Sequence, residues 1–178
     1  MAGKHAQDLR RRIDAAAENL GRQLQGMEPH MERSDAPGEW TTREVLSHLL
    51  FEPGFDPGAT LATFTDRDWP LVEIDPGATF LDDQRRKMTL SQFKDALDAQ
   101  RRRVLEHIDG LEERAFDQRK VRIPLFKQFM GTDEITIDMY LGAMFDYHWN
   151  DHAGQLEKIR QAVGLGPVDA AKPSGVSA

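Results

Sequence analysis

Apolar side chains recur at steps of three and four in the first part of the chain: Leu9, Ile13, Ala16, Leu20, Leu24 and Met27. That spacing keeps them on one face of an α-helix and predicts a first helix over residues 5–27, ended near Gly26 and Pro29. A second helix is expected from Trp40, where Pro37-Gly38 marks the preceding turn and Thr41-x-x-Glu44 has the form of a capping box. Val45, Leu46, Leu49 and Leu50 supply its buried side, and Pro53-Gly54 stops it. Thr89-x-x-Gln92 is a second capping-box pattern, and Leu90, Phe93, Leu97, Val104, Ile108 and Leu111 then outline a third helix over residues 90–111. In the fourth helix Ile137, Leu141, Phe145, Leu156, Ile159 and Val163 keep core spacing until Gly164 and Gly166-Pro167 end the run.

Between the second and third helices, Pro53, Pro57, Pro70 and Pro76 with several glycines exclude a continuous helix. This stretch reads as a long ordered crossover, with a short helix near residues 57–65, pinned by Phe55, Leu61, Phe64, Trp69 and Phe80. Phe55, Phe64 and Trp69 are candidate contacts of a lid or substrate wall, with plain packing as the simpler role. Residues 112–131 read as a loop with an extended piece around Val121 to Ile123. No alternating strand pattern competes, so the expected fold class is all-α: a four-helix bundle with the crossover between helices 2 and 3. One domain over residues 1–166 is expected, followed by a disordered tail at 167–178.

Composition narrows the partners. Among 178 residues, 30 acidic side chains outnumber 23 basic ones, a formal charge of −7 that opposes nucleic acid and anionic bilayers. Arg10-Arg11-Arg12 and Arg101-Arg102-Arg103 fall on different helix faces, with Asp14 and Glu106 in reach, and read as solvated surface. Cysteine is absent, which excludes disulfides, thiolate metal sites and a cysteine nucleophile. No stretch reaches the length of about 20 apolar residues that spans a bilayer, and the amino terminus has no apolar signal core. The expected location is the cytoplasm.

Chemistry concentrates in Tyr147-His148-Trp149-Asn150-Asp151-His152, where two histidines at i,i+4 share one helix face. The series Leu141, Phe145, His148, His152, Leu156, Ile159 directs both imidazoles into the bundle. His48, one turn after Val45, faces the same interior. Three neutral imidazoles at one end of a bundle can hold a divalent metal while leaving positions open. Glu52, four residues after His48, is a candidate fourth ligand or base, and Asp146, Asn150 and Asp151 are candidate partners of the ligands. His5 and His30 are expected to be exposed, and His107 partly buried without a metal role. A zincin needs Glu where Trp149 stands, and a ferritin-like site needs Glu where Phe145 and Trp149 stand, so both are excluded. The nucleotide-binding glycine motifs are missing too.

Trp40-Thr41-Thr42-Arg43-Glu44-Val45-Leu46-Ser47-His48-Leu49 and His148-x-x-x-His152-x-x-Gln155-Leu156-x-x-Ile159-Arg160 resemble the DinB-like superfamily, the DinB/YfiT-like metalloenzymes, over residues of about 5 to 165. The resemblance implies a metal triad at His48, His148 and His152, an up-down-down-up bundle that is often a homodimer, and zinc or nickel as the ion, with iron or manganese as alternatives. It also implies a small-molecule substrate. Relatives include bacillithiol S-transferases and a mycothiol-dependent maleylpyruvate isomerase, so a thiol-dependent S-transferase or a hydrolase is expected, with a low-molecular-weight thiol as a second cofactor. The rival expectation is a non-catalytic, metal-stabilised stress-related or dimeric scaffold.

Overall fold

The computed structural model describes residues 3–54 and 56–168. Phe55 and the part of the expected tail beyond residue 168 lie outside the described residues. Four helical stretches form the bundle: α1 (Lys4–Gln23), α2 (Thr42–Leu49), α4 (Leu90–Asp109), and a fourth built from α7 (Ile137–Leu141), a π-helical turn (Gly142–Tyr147) and α8 (His148–Ala162). Shorter helices α3 (Pro57–Ala62), α5 (Ala115–Gln118) and α6 (Lys127–Met130) decorate the connections.

The two expected capping boxes both form. The Glu44 N–H donates to Thr41 Oγ1 at 3.2 Å and the Thr41 N–H to Glu44 Oε2 at 2.8 Å. Thr89 and Gln92 repeat the exchange at the start of α4. Each box satisfies amide groups that the first helical turn leaves without partners. At the far end of the fourth helix, Gly164 takes φ +81°. Its N–H and that of Leu165 then reach the carbonyls of Gln161 and Arg160, the pattern of a Schellman cap.

The apolar stripes read from the sequence meet in one core. Leu9, Ile13, Phe93, Ile108, Phe145 and Leu156 are all fully buried. Around the bundle α1 packs on α4 and α8, and α2 packs on the same two helices, so neighbours run α1, α4, α2, α8. Arg10, Arg11, Arg12, Arg101 and Arg102 each meet a carboxylate, as the reading of these runs as helix surface anticipates.

Three features depart from expectation. The extended piece expected around Val121 to Ile123 forms as β1 (Lys120–Arg122), but it pairs antiparallel with an unforeseen strand, β2 (Glu134–Thr136), with Val121 opposite Ile135. Strands of three residues are too short to show a period of two. The crossover docks on this ribbon through bridges from Thr65 to Lys120 and from Leu71 to Arg122. The fourth helix is also not uniformly α. Its π turn adds a residue to one turn, so Trp149 continues the core stripe and is 1 % exposed, while His148 keeps part of its surface open. Both fourth-helix imidazoles still point into the bundle, His148 with slightly more surface open than His152. Lastly, His5 is only half-exposed, its ring edge-on to Phe116.

Candidate metal centre

His48 stands in the last turn of α2, and His148 and His152 stand on the first turns of α8. His148 Nε2 lies 2.9 Å from His48 Nε2 and 3.1 Å from His152 Nε2. Among the described residues these three form a group whose ligand atoms lie within 4.8 Å of one another.

The outer two rings have a defined proton position. His48 Nδ1 is 2.7 Å from the Ala78 carbonyl oxygen, and His152 Nδ1 is 2.8 Å from Gln155 Oε1. Both oxygens accept, so each Nδ1 carries the hydrogen and each Nε2 presents a bare lone pair. Histidines that bind metals show the same arrangement, donating the other ring N–H to a carbonyl or carboxylate. His148 Nδ1 is buried without a hydrogen bond of normal geometry. With its proton on Nε2, His148 can satisfy only one of its two Nε2 neighbours, and with the proton on Nδ1 it satisfies neither.

A proton is a poor candidate for the missing positive charge. Burial pushes the His148 imidazole down to about 3, helped by His152 and His48 and opposed by the Met144 carbonyl. Burial lowers His48 as well, against the Ala78 hydrogen bond, and lowers His152 against Gln155 and Asp151. Three neutral nitrogens whose lone pairs converge fit a divalent cation. Spacings of 2.9 and 3.1 Å suit ligands of one ion with bonds of about 2.0–2.1 Å.

Aromatic rings surround the cluster. Trp40 stacks on His152 at 6.0 Å and 11°, Phe80 lies parallel to His48 at 6.4 Å, and Phe51 lies nearly parallel to His148 at 6.2 Å. Phe51 and Phe80 both hold left-handed backbones, φ 60° and 53°, which bulky residues rarely adopt. One buried guanidinium nitrogen ties these two turns together. Arg85 Nη1 donates to the carbonyls of Ser47 at 2.8 Å, Phe51 at 2.6 Å and Phe80 at 3.4 Å, and to Ser47 Oγ at 3.2 Å. It thereby fastens the crossover, with its Ala78 carbonyl, to the end of α2.

A cavity of about 1480 Å³ opens over the histidines, walled by the crossover, by residues 124–130 and by the π turn. Glu52 is exposed on its rim, outside the cluster of three. Of the flanking polar residues, Asp146 pairs with Arg12 at 2.8 Å and Asn150 accepts from Asn19 at 2.8 Å, so both serve the α1 contact. Asp151 is exposed and acts on His152 through its charge. Of the crossover candidates, Phe64 is buried against Tyr140 as packing, and Trp69 stacks under Lys120 Nζ. Gln155 was visible as part of the motif. The Ala78 carbonyl was not, because every residue has one.

No family model and no curated protein matches the sequence. The fold does have a counterpart. YfiT from Bacillus subtilis, described as a probable metal-dependent hydrolase with an unusual four-helix bundle topology, superposes with a TM-score of 0.72 over 93% of this chain and 92% of that one, at 16% identity. The chain therefore shares the four-helix-bundle fold of YfiT, in line with the resemblance read from its histidine motifs. Within it, three histidines are placed where a metal ion could be held.

Proposed function

We propose that the protein is a metal-dependent enzyme that holds one divalent ion on His48, His148 and His152 and acts on a small molecule, hydrolysis being the reaction favoured. The observation that carries this reading is the convergence of three Nε2 atoms, two of them fixed as bare lone pairs by Ala78 and Gln155. The fold shared with YfiT supports it. Imidazole donors suit zinc and nickel, with iron and manganese in range. When bound by three protein nitrogens, such an ion keeps positions free and supplies Lewis acidity that lowers the pKa of a ligand water or thiol.

The chain's own residues do the rest. The Ala78 carbonyl and Gln155 orient two imidazoles, Trp40, Phe51 and Phe80 keep water from their faces, and the cavity admits a substrate. Glu52, on the rim, is the candidate general base. A thiol-dependent S-transferase is the alternative reaction of the same site. The resemblance supports a homodimer. No helix among the described residues is long and apolar enough to cross a membrane.

Elemental analysis of untagged protein tests the site. Wild type should carry about one ion per chain and the His148→Ala, His152→Ala variant almost none. Ester and amide substrates, assayed with and without added thiols, then separate hydrolysis from S-transfer. No metal in wild type even after reconstitution ends the proposal. Metal that raises the melting temperature while every assay stays blank favours the scaffold instead.

A further inference from the structure

The cavity over the histidines has two further properties, the chemistry of its walls and the sign of its rim. Its walls are mainly apolar: Ile74 and Phe80 come from the crossover, Phe129 from the connection before β2, and Met144 and Tyr147 from the π turn. Phe129 and Tyr147 are each 74% exposed, an unusual position for aromatic rings that no neighbour within the described residues covers. Its charged lining is one-sided. Glu52, Glu73, Asp75, Asp138 and Asp151 line it, and its one basic lining residue, Arg12, is paired with a sixth carboxylate, Asp146. That arginine is already answered, its Nε 2.8 Å from Asp146 and its Nη1 3.6 Å from Asp8. An apolar chamber with an acidic mouth concentrates cations and repels anions, because carboxylates beside a low-dielectric wall focus their field into the opening. Exposed aromatic faces at the same mouth add attraction for an ammonium group.

We infer that the substrate is an amine: a small molecule with an aliphatic or aromatic body that fills the apolar chamber and an ammonium group held at the carboxylate rim. The inference rests on reading the cavity as the enzyme's substrate site. It narrows that reading, because an anionic substrate or an acidic thiol cofactor would meet the rim with the wrong sign. Glu73 and Asp75 carry the preference most directly. Both are exposed, and both lie on the crossover segment that forms one wall of the chamber.

The test compares three probes with one body and different heads: 4-phenylbutylamine, 4-phenylbutanol and 4-phenylbutyrate. Binding is measured by calorimetry at low salt, on the full chain as purified and again after metal chelation, which removes any affinity a carboxylate owes to an ion. The expected order is amine, alcohol, carboxylate, with amine over carboxylate by about tenfold. The gap should close to within about twofold in 1 M salt, where charges separated by more than about 3 Å are screened. The Glu73→Gln, Asp75→Asn variant should narrow the gap in the same way while leaving alcohol binding unchanged. Phe129→Ala should weaken all three probes together. Equal binding of amine and carboxylate, a preference insensitive to salt and to the rim variant, or no binding of any probe would overturn the inference. Because the order is also read without metal, a protein that binds no ion would defeat the metal proposal and leave this result standing, and the reverse holds equally.

Discussion

His148 and His152 share one helix, whose hydrogen-bond ladder sets their separation, whereas His48 ends an eight-residue helix and is oriented by a carbonyl thirty positions further along the chain. On the α8 side, orientation is local: Gln155, three residues after His152, accepts its Nδ1 hydrogen at 2.8 Å. On the α2 side it comes from a remote segment, the crossover that carries Ala78, which Arg85 clamps to the end of α2 through the carbonyls of Phe51 and Phe80. Local geometry survives partial loosening of the fold. Geometry assembled from a crossover does not, because the loop entropy held back by the clamp returns when the clamp is lost.

Removing the clamp should have the largest effect. Arg85→Met strips three carbonyls and a hydroxyl of a charged donor and should cost about 2–4 kcal/mol of stability in urea unfolding. Metal affinity should fall by about a hundredfold, and the ¹⁵N signals of His48 should show loss of the single Nδ1–H tautomer while those of His152 keep theirs. Arg85→Lys should recover part of both, because one nitrogen, Nη1, makes all four contacts. If His48 keeps its tautomer in Arg85→Met, the two sides do not differ as described.

The matching change on the α8 side should be milder. Gln155→Ala removes one oriented acceptor from a partly buried position and leaves the backbone intact, so metal affinity should fall by about tenfold in a competition titration, with little change in melting temperature. A loss as large as that of Arg85→Met would make local orientation as critical as remote.

Stability also depends on pH, through His148, which both outer imidazoles meet. In metal-free protein His148 resists protonation down to about 3, whereas the unfolded chain takes up its proton near 6.5. The unfolded state therefore binds more protons below 6.5, and stability present above that pH is lost as the pH falls towards 3. The melting temperature of the chelated protein should drop by several degrees between pH 7 and pH 5, and the drop should shrink in His148→Ala. An equal drop in that variant would assign the acid sensitivity elsewhere.

Much of the scaffold was legible in the residues themselves. A stripe such as Leu9, Ile13, Ala16, Leu20 reports its own buried face, and Thr41 with Glu44 reports its own helix start, because the forces involved act within one or two turns. The i,i+4 pair His148 and His152 belongs to the same class of information, as does His48 beside Val45 and Leu49. The partner strand at Ile135, which completes the ribbon begun by the expected extended piece at Val121, and the π turn before His148 were not legible. Three-residue strands carry no measurable period, and a single wide turn shifts a helical register by one position, within the tolerance of any apolar stripe.

The sequence by itself determined the helices, their inward faces and the three imidazoles available to meet, because side-chain type and spacing are local properties. Only the tertiary structure decided that a backbone carbonyl at Ala78 would fix the His48 tautomer, that Arg85 would hold two strained phenylalanines around the cluster, and that the chamber above it would be apolar with an acidic mouth. Those outcomes rest on groups that every residue carries or on neighbours brought together from distant parts of the chain. Contacts of that kind come into being only when the chain has closed on itself.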